Sequence, residues 1–130
     1  MEDREILELI QNANRLDNWI PKKIFLQFND AQYKALLKGY KVHWDMRYGI
    51  HIMGDYFYIH RSGHVVGKFK VENIEDDLYR VAEMYDNPES GFWYYVFDTL
   101  VEACKQNRIP IDRDNLCLMQ EKTYKMQEEN

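Results

Sequence analysis

From Tyr40 to Val71 hydrophobicity alternates with a period of two, and turn chemistry interrupts the alternation at three places. Met53-Gly54-Asp55-Tyr56 reads as a hairpin with a two-residue Gly-Asp turn. That turn pairs Met53 with Tyr56, Ile52 with Phe57 and Ile50 with Ile59. Arg61-Ser62-Gly63 reads as a three-residue loop with Gly63 in the left-handed position. His60 then opposes His64, Ile59 opposes Val65 and Phe57 opposes Gly67. A two-residue Ser62-Gly63 turn would pair Ile59 with Val66 and split the apolar residues between faces, which disfavours it. Arg47-Tyr48-Gly49 reads as a loop of the same kind and sets Met46 against Ile50 and Trp44 against Ile52. The three turns agree on one apolar face: Val42, Trp44, Met46, Ile50, Ile52, Phe57, Ile59, Val65, Phe69 and Val71.

Helical spacing frames this sheet. Ile6, Leu7, Leu9, Ile10, Ala13 and Leu16 predict an amphipathic helix from about Glu2 to Leu16. Trp19 to Phe28 fits a short strand or a helix opened by Pro21. Asn29, with Gln32 three residues on, reads as a capping box opening a short helix that Gly39 closes. After the sheet, Ile74, Leu78, Val81, Ala82 and Tyr85 share a helical stripe. A further helix is expected with Asn87 as N-cap and Pro88 in its first turn, burying Trp93, Val96, Phe97, Leu100, Val101 and Cys104. From Arg108 on, Leu116-Cys117-Leu118-Met119 can pack on the body, and the polar residues after about 120 are expected to be weakly structured. The expected fold is α+β: an antiparallel meander of four strands, or five if Trp19 to Phe28 is a strand, with helices packed on one face. A single domain over residues 1–130 is expected, since no linker or repeat divides the chain.

Charge and composition exclude some functions. The net charge of −5 argues against general nucleic-acid binding, which needs a basic surface. No run approaches the length of a membrane span, and the acidic, amphipathic start is no signal peptide. Cys104 and Cys117 have neither disulfide-framework nor zinc spacing, so a reduced, cytoplasmic protein is expected. There is no nucleophile elbow, phosphate-binding glycine loop or HExxH, and Asp112 to Asn115 lacks the glycine and final Glu of a calcium loop.

The candidate site is the sheet face opposite the core. In the expected register Asp45, His51, Tyr58 and Val66 form one cross-strand row, and His43, Met53, Tyr56 and Lys68 the next. Gly49, His60 and His64 form a third. Imidazoles with a carboxylate can bind a divalent metal, here through His51, His60 and His64 with Asp45. Alternatively, Asp45 can orient His51 as a general base. The plainer account is a half-exposed sheet face, where Tyr, His and Lys are common. Tyr56, Tyr58, Lys68 and Lys70 could also form an aromatic-basic platform for single-stranded nucleic acid, against which the overall acidity weighs. The aromatic run Phe92 to Phe97 could be a recognition stripe, but on a helix it points all round, so at least one ring is expected near the surface and core packing is the plainer account. The residues favour a small, soluble, non-enzymatic protein-binding module of the inhibitor or immunity-protein kind, needing no cofactor. The alternative is a metal- or small-ligand-binding protein, with a hydrolase as one form of it, using the His/Asp/Tyr face of the sheet.

Overall fold

The computed structural model describes residues 3–15, 18–38, 49–61, 63–89 and 95–128. The elements are α1 (Asp3–Ala13), β1 (Ile20–Pro21), β2 (Gln27–Phe28), α2 (Asp30–Lys38), β3 (Gly49–Met53), β4 (Tyr56–Arg61), β5 (His64–Glu75), β6 (Leu78–Asp86), α3 (Tyr95–Gln106) and α4 (Arg113–Glu128). The fold is α+β. The six strands form one antiparallel sheet in the order β1-β6-β5-β4-β3, with β2 also on β6. The first strand expected in the meander, and Arg47 and Tyr48 of the loop after it, lie outside the described residues; Gly49 opens β3 opposite His60.

The Gly54-Asp55 hairpin has the expected register, with Met53 opposite Tyr56, Ile52 opposite Phe57 and Ile50 opposite Ile59. The next hairpin differs. Arg61 pairs with His64 and His60 with Val65, so two residues separate the strands instead of three. A bulge then follows, and Ile59 faces Gly67, Tyr58 faces Lys68 and Phe57 faces Phe69. Beyond the bulge the register lies two residues from the expected one, so Phe69 keeps its face. Between turn and bulge the offset is one residue, so Val65 and Val66 exchange faces. Val66 enters the main core and Val65 packs with Ile6, Ile10 and Ala13 of α1. The objection to this turn was that it splits apolar residues between faces. It fails because both faces are covered.

The largest correction is at residues 74–86, which form the end of β5 and all of β6 rather than a helix. Glu75 faces Leu78 across a tight turn in which Asp77 takes a positive φ of 58°. The register shifts between Lys70 and Val71 and again between Asn73 and Glu75, leaving Ala82 and Ile74 without cross-strand partners. An extra residue in a strand breaks the period of two and leaves apolar side chains at spacings that imitate a helix. Of the supposed stripe only Val81 is buried, and Ile74 is exposed. Residues 19–28 form no helix and hold two short strands, Ile20–Pro21 and Gln27–Phe28, joined by irregular chain: Ile20 faces Asp86, Pro21 faces Tyr85 and Phe28 faces Tyr79.

Helices cover both faces, not one. On the first, α2, α3 and α4 bury Leu36, Phe97, Leu100 and Leu116 against Phe57, Ile59, Phe69 and Met84. On the second, α1 lies over Tyr58 and Val65. The capping box of α2 is present: Gln32 N–H donates to Asn29 Oδ1 (2.9 Å) and Asn29 N–H to Gln32 Oε1 (2.8 Å). Asn87 does not open a helix. Its amide donates to Val65 O (2.7 Å), its N–H donates to Val66 O (3.1 Å), and Pro88 and Glu89 lie in a turn. Trp93 lies outside the described residues. The segment expected to be weakly structured from about 120 is helical to Glu128, with Thr123 fully buried.

Candidate functional site

The observed register sets His51, Tyr58, Lys68 and Tyr85 in one row across β3, β4, β5 and β6. Met53 and Tyr56 pair in the adjacent part of the face, as do Lys70 and Glu83. Trp19 is brought to this face by its neighbours in the chain. Ile20 and Pro21 zip onto the end of β6, and Lys22 N–H donates to Met84 O at 2.9 Å.

These elements surround one ammonium group with rings. Lys68 Nζ lies 4.7 Å from the Trp19 ring centroid and 4.8 Å from that of Tyr56. Tyr85 is at 5.7 Å and Tyr58 at 6.0 Å. All four distances are in the range where the negative face of a ring attracts a cation. The rings also brace one another, since Tyr56 meets Tyr58 and Tyr85 edge-on at 6.3 and 6.4 Å. Tyr58 is buried beneath α1, and its hydroxyl exchanges hydrogen bonds with the Asn14 amide (3.0 and 3.2 Å). Trp19, Tyr56, Lys68 and Tyr85 each keep part of their surface in solvent.

Electrostatics at the cluster follow from partial burial. Desolvation lowers the Lys68 pKa, and the nearby Glu83 carboxylate pulls it up. Glu83 is shared: it accepts the Tyr85 hydroxyl at 2.8 Å and faces Lys70 Nζ at 3.7 Å. The bond to Glu83 raises the Tyr85 pKa. Lys70 Nζ also lies 5.6 Å from the Tyr56 ring.

Of the residues singled out from sequence, Tyr56, Tyr58 and Lys68 meet in this cluster, with His51 at the end of the row. His60 is buried, and its pKa is lowered first by desolvation and then by His51. His64 faces Arg61, not His60, so the expected histidine pair does not form. Asp45 and His43 lie outside the described residues. Among the described residues no three His, Cys, Asp or Glu side chains come together as metal ligands would.

Sequence reasoning missed Trp19 and Tyr85. Tyr85 sat in a segment whose bulge mimicked a helix, and Trp19 reaches the site only through pairing between residues 20 and 86, far apart in the chain. A strand reading of residues 78–86 would have put Tyr85 within reach of Lys68. No local signal marks Trp19.

Among the described residues no helix is long and apolar enough to cross a membrane. The chain matches no family model, no curated protein and no solved structure.

Proposed function

We propose that this chain is a small, soluble, non-enzymatic protein-binding module of the inhibitor or immunity-protein kind. We further propose that it docks through the sheet face bearing Trp19, Tyr56, Lys68 and Tyr85. The observation that supports this reading is the ring cluster around Lys68, in which partly exposed aromatic side chains are already locked by their contacts. Trp and Tyr dominate the energetics of protein interfaces because they offer large, stiff contact area with a polar edge. Side chains ordered before binding lose less entropy on binding, so a braced cluster can yield more net affinity than a loose one of equal area. His51 and the Tyr58 hydroxyl lie at its margin. Cys104 is buried, Cys117 is exposed and both are free, which fits a reducing compartment such as the cytoplasm.

The experiment compares capture of partners from native cells by the wild type and by Tyr56→Ala and Trp19→Ala, with circular dichroism of each to verify the fold. The expected result is a protein retained by the wild type and lost from folded variants. Retention that ignores both substitutions, or a small molecule co-purifying in place of any protein, would sink the reading.

A further inference from the structure

The proposed docking face carries a cation, Lys68, with no ion-pair partner among the described residues. Lys68 Nζ sits among Trp19, Tyr56, Tyr58 and Tyr85, and among the described residues no carboxylate comes within ion-pair distance of it. Glu83, nearby, is taken by Lys70 and the Tyr85 hydroxyl. The rings have removed part of the ammonium's water, so an incoming anion meets a cation whose desolvation is already partly compensated by cation–π contact. Lys70 stands on the same face, half exposed and 3.7 Å from Glu83, a loose pair that an incoming carboxylate can share.

Resting on the docking face described above, we propose that its occupant is an acidic segment of the partner protein, whose Asp and Glu carboxylates pair with Lys68 and Lys70 between the rings. The chain's net charge of −5 opposes such a partner only at a distance. At physiological salt, charges beyond about 8 Å are largely screened, so the two lysines decide the local encounter. The rings contribute further contact to the segment's own side chains. An ordinary lysine on a sheet surface is held by water alone and has no such preorganisation.

The test is calorimetric titration of the full chain with a glutamate decapeptide, at low and high salt, with an oligothymidylate of similar charge as competitor. The expected outcome is binding that weakens with salt and that falls by about tenfold or more in Lys68→Met, a loss of about 1.4 kcal/mol. Lys68→Arg, which keeps a cation among the rings, should retain most of the affinity. Lys122→Met should be unchanged, because Lys122 lies over Phe25, away from this face. A second readout is the Lys68 side-chain titration by NMR, which should move to higher pH when the peptide is bound. If Lys68→Met does not fold, Lys70→Met, altered at a half-exposed side chain, carries the same comparison.

No binding of the peptide would overturn the inference. So would undiminished binding by folded Lys68→Met, or tighter binding of the oligothymidylate than of the peptide. A partner captured in a Tyr56-dependent way from cells, with no affinity for the glutamate peptide, would sink this inference and leave the docking face standing.

Discussion

Asp86 ends β6 with its side chain 4% exposed, and its Oδ1 has no hydrogen-bond partner among the described residues. Burial pushes its pKa from 3.8 up to about 6, against a smaller opposite pull from Lys22. The fold therefore holds that proton more tightly than the unfolded chain does. The result is a stability penalty, present in full above about pH 6 and removed as pH falls from 6 toward 4. A shift of roughly two units bounds it at about 3 kcal/mol. Asp86→Asn should thus stabilise the protein by about 1–2 kcal/mol at pH 8 and by nothing at pH 4, some of the gain being lost to the new buried amide. Urea unfolding at the two pH values checks this, and an equal effect at both would refute it. His60 acts in the opposite sense. The fold keeps it neutral, and that stability is lost as pH drops below the usual histidine value. It is present in wild type and variant alike, so the comparison isolates Asp86. Gly67 makes a second residue-scale case. A Cβ there would lie 2.0 Å from Tyr95 Oη and 2.5 Å from its Cζ, and that ring is fully buried. Gly67→Ala should cost about 2–3 kcal/mol by overpacking, read as a lower urea midpoint. The glycine was legible in the sequence, but its reason was not, because Tyr95 approaches from another element.

At the scale of elements, some local signals held and others, such as the Asn87-Pro88 cap, did not. The capping box of α2 and the Gly54-Asp55 hairpin follow from neighbours in sequence and appear as expected. The C-terminal segment reads as polar and loose, yet it forms α4 and is tied to residues 23–27 by Thr123, by Met119 Sδ, which accepts the Gln27 N–H (3.3 Å), and by Gln127, which donates to Lys23 O. Thr123 Oγ1 accepts the Phe25 N–H (3.0 Å) and donates to Met119 O (2.9 Å) within its own helix. That bond ties the helix to the stretch linking β1 and β2. Thr123→Val keeps the shape but leaves the Phe25 N–H without its acceptor, at an expected cost of about 1–3 kcal/mol. Hydrogen exchange should show the Phe25 amide losing protection while amides of β4 and β5 keep theirs. Unchanged protection at Phe25 would mean that the Thr123 hydroxyl is not what orders this stretch.

Across the whole molecule, the deciding feature is that both faces of the sheet are covered. Ile10 of α1 is fully buried against the second face, while Leu7 is 38% exposed. Ile10→Ala should therefore cost about 2–4 kcal/mol, and Leu7→Ala less than about 1 kcal/mol. Similar losses at both positions in thermal melts would show that α1 is seated differently. This two-sided burial also separates what was legible from what was not. Sequence alone determined the α+β class, the first hairpin's register and the membership of Tyr56, Tyr58 and Lys68 in one sheet face. Those follow from the period of two, from turn residues and from caps, all local and all set by backbone sterics. Tertiary structure alone decided the turn at His64, the strand identity of residues 78–86 and the arrival of Trp19 and Tyr85 around Lys68. A pattern of apolar residues reports that a side chain is buried, not which face buries it. Once α1 covered the second face, Val65 and Val66 could exchange faces with both still buried, and no local rule distinguishes the two registers.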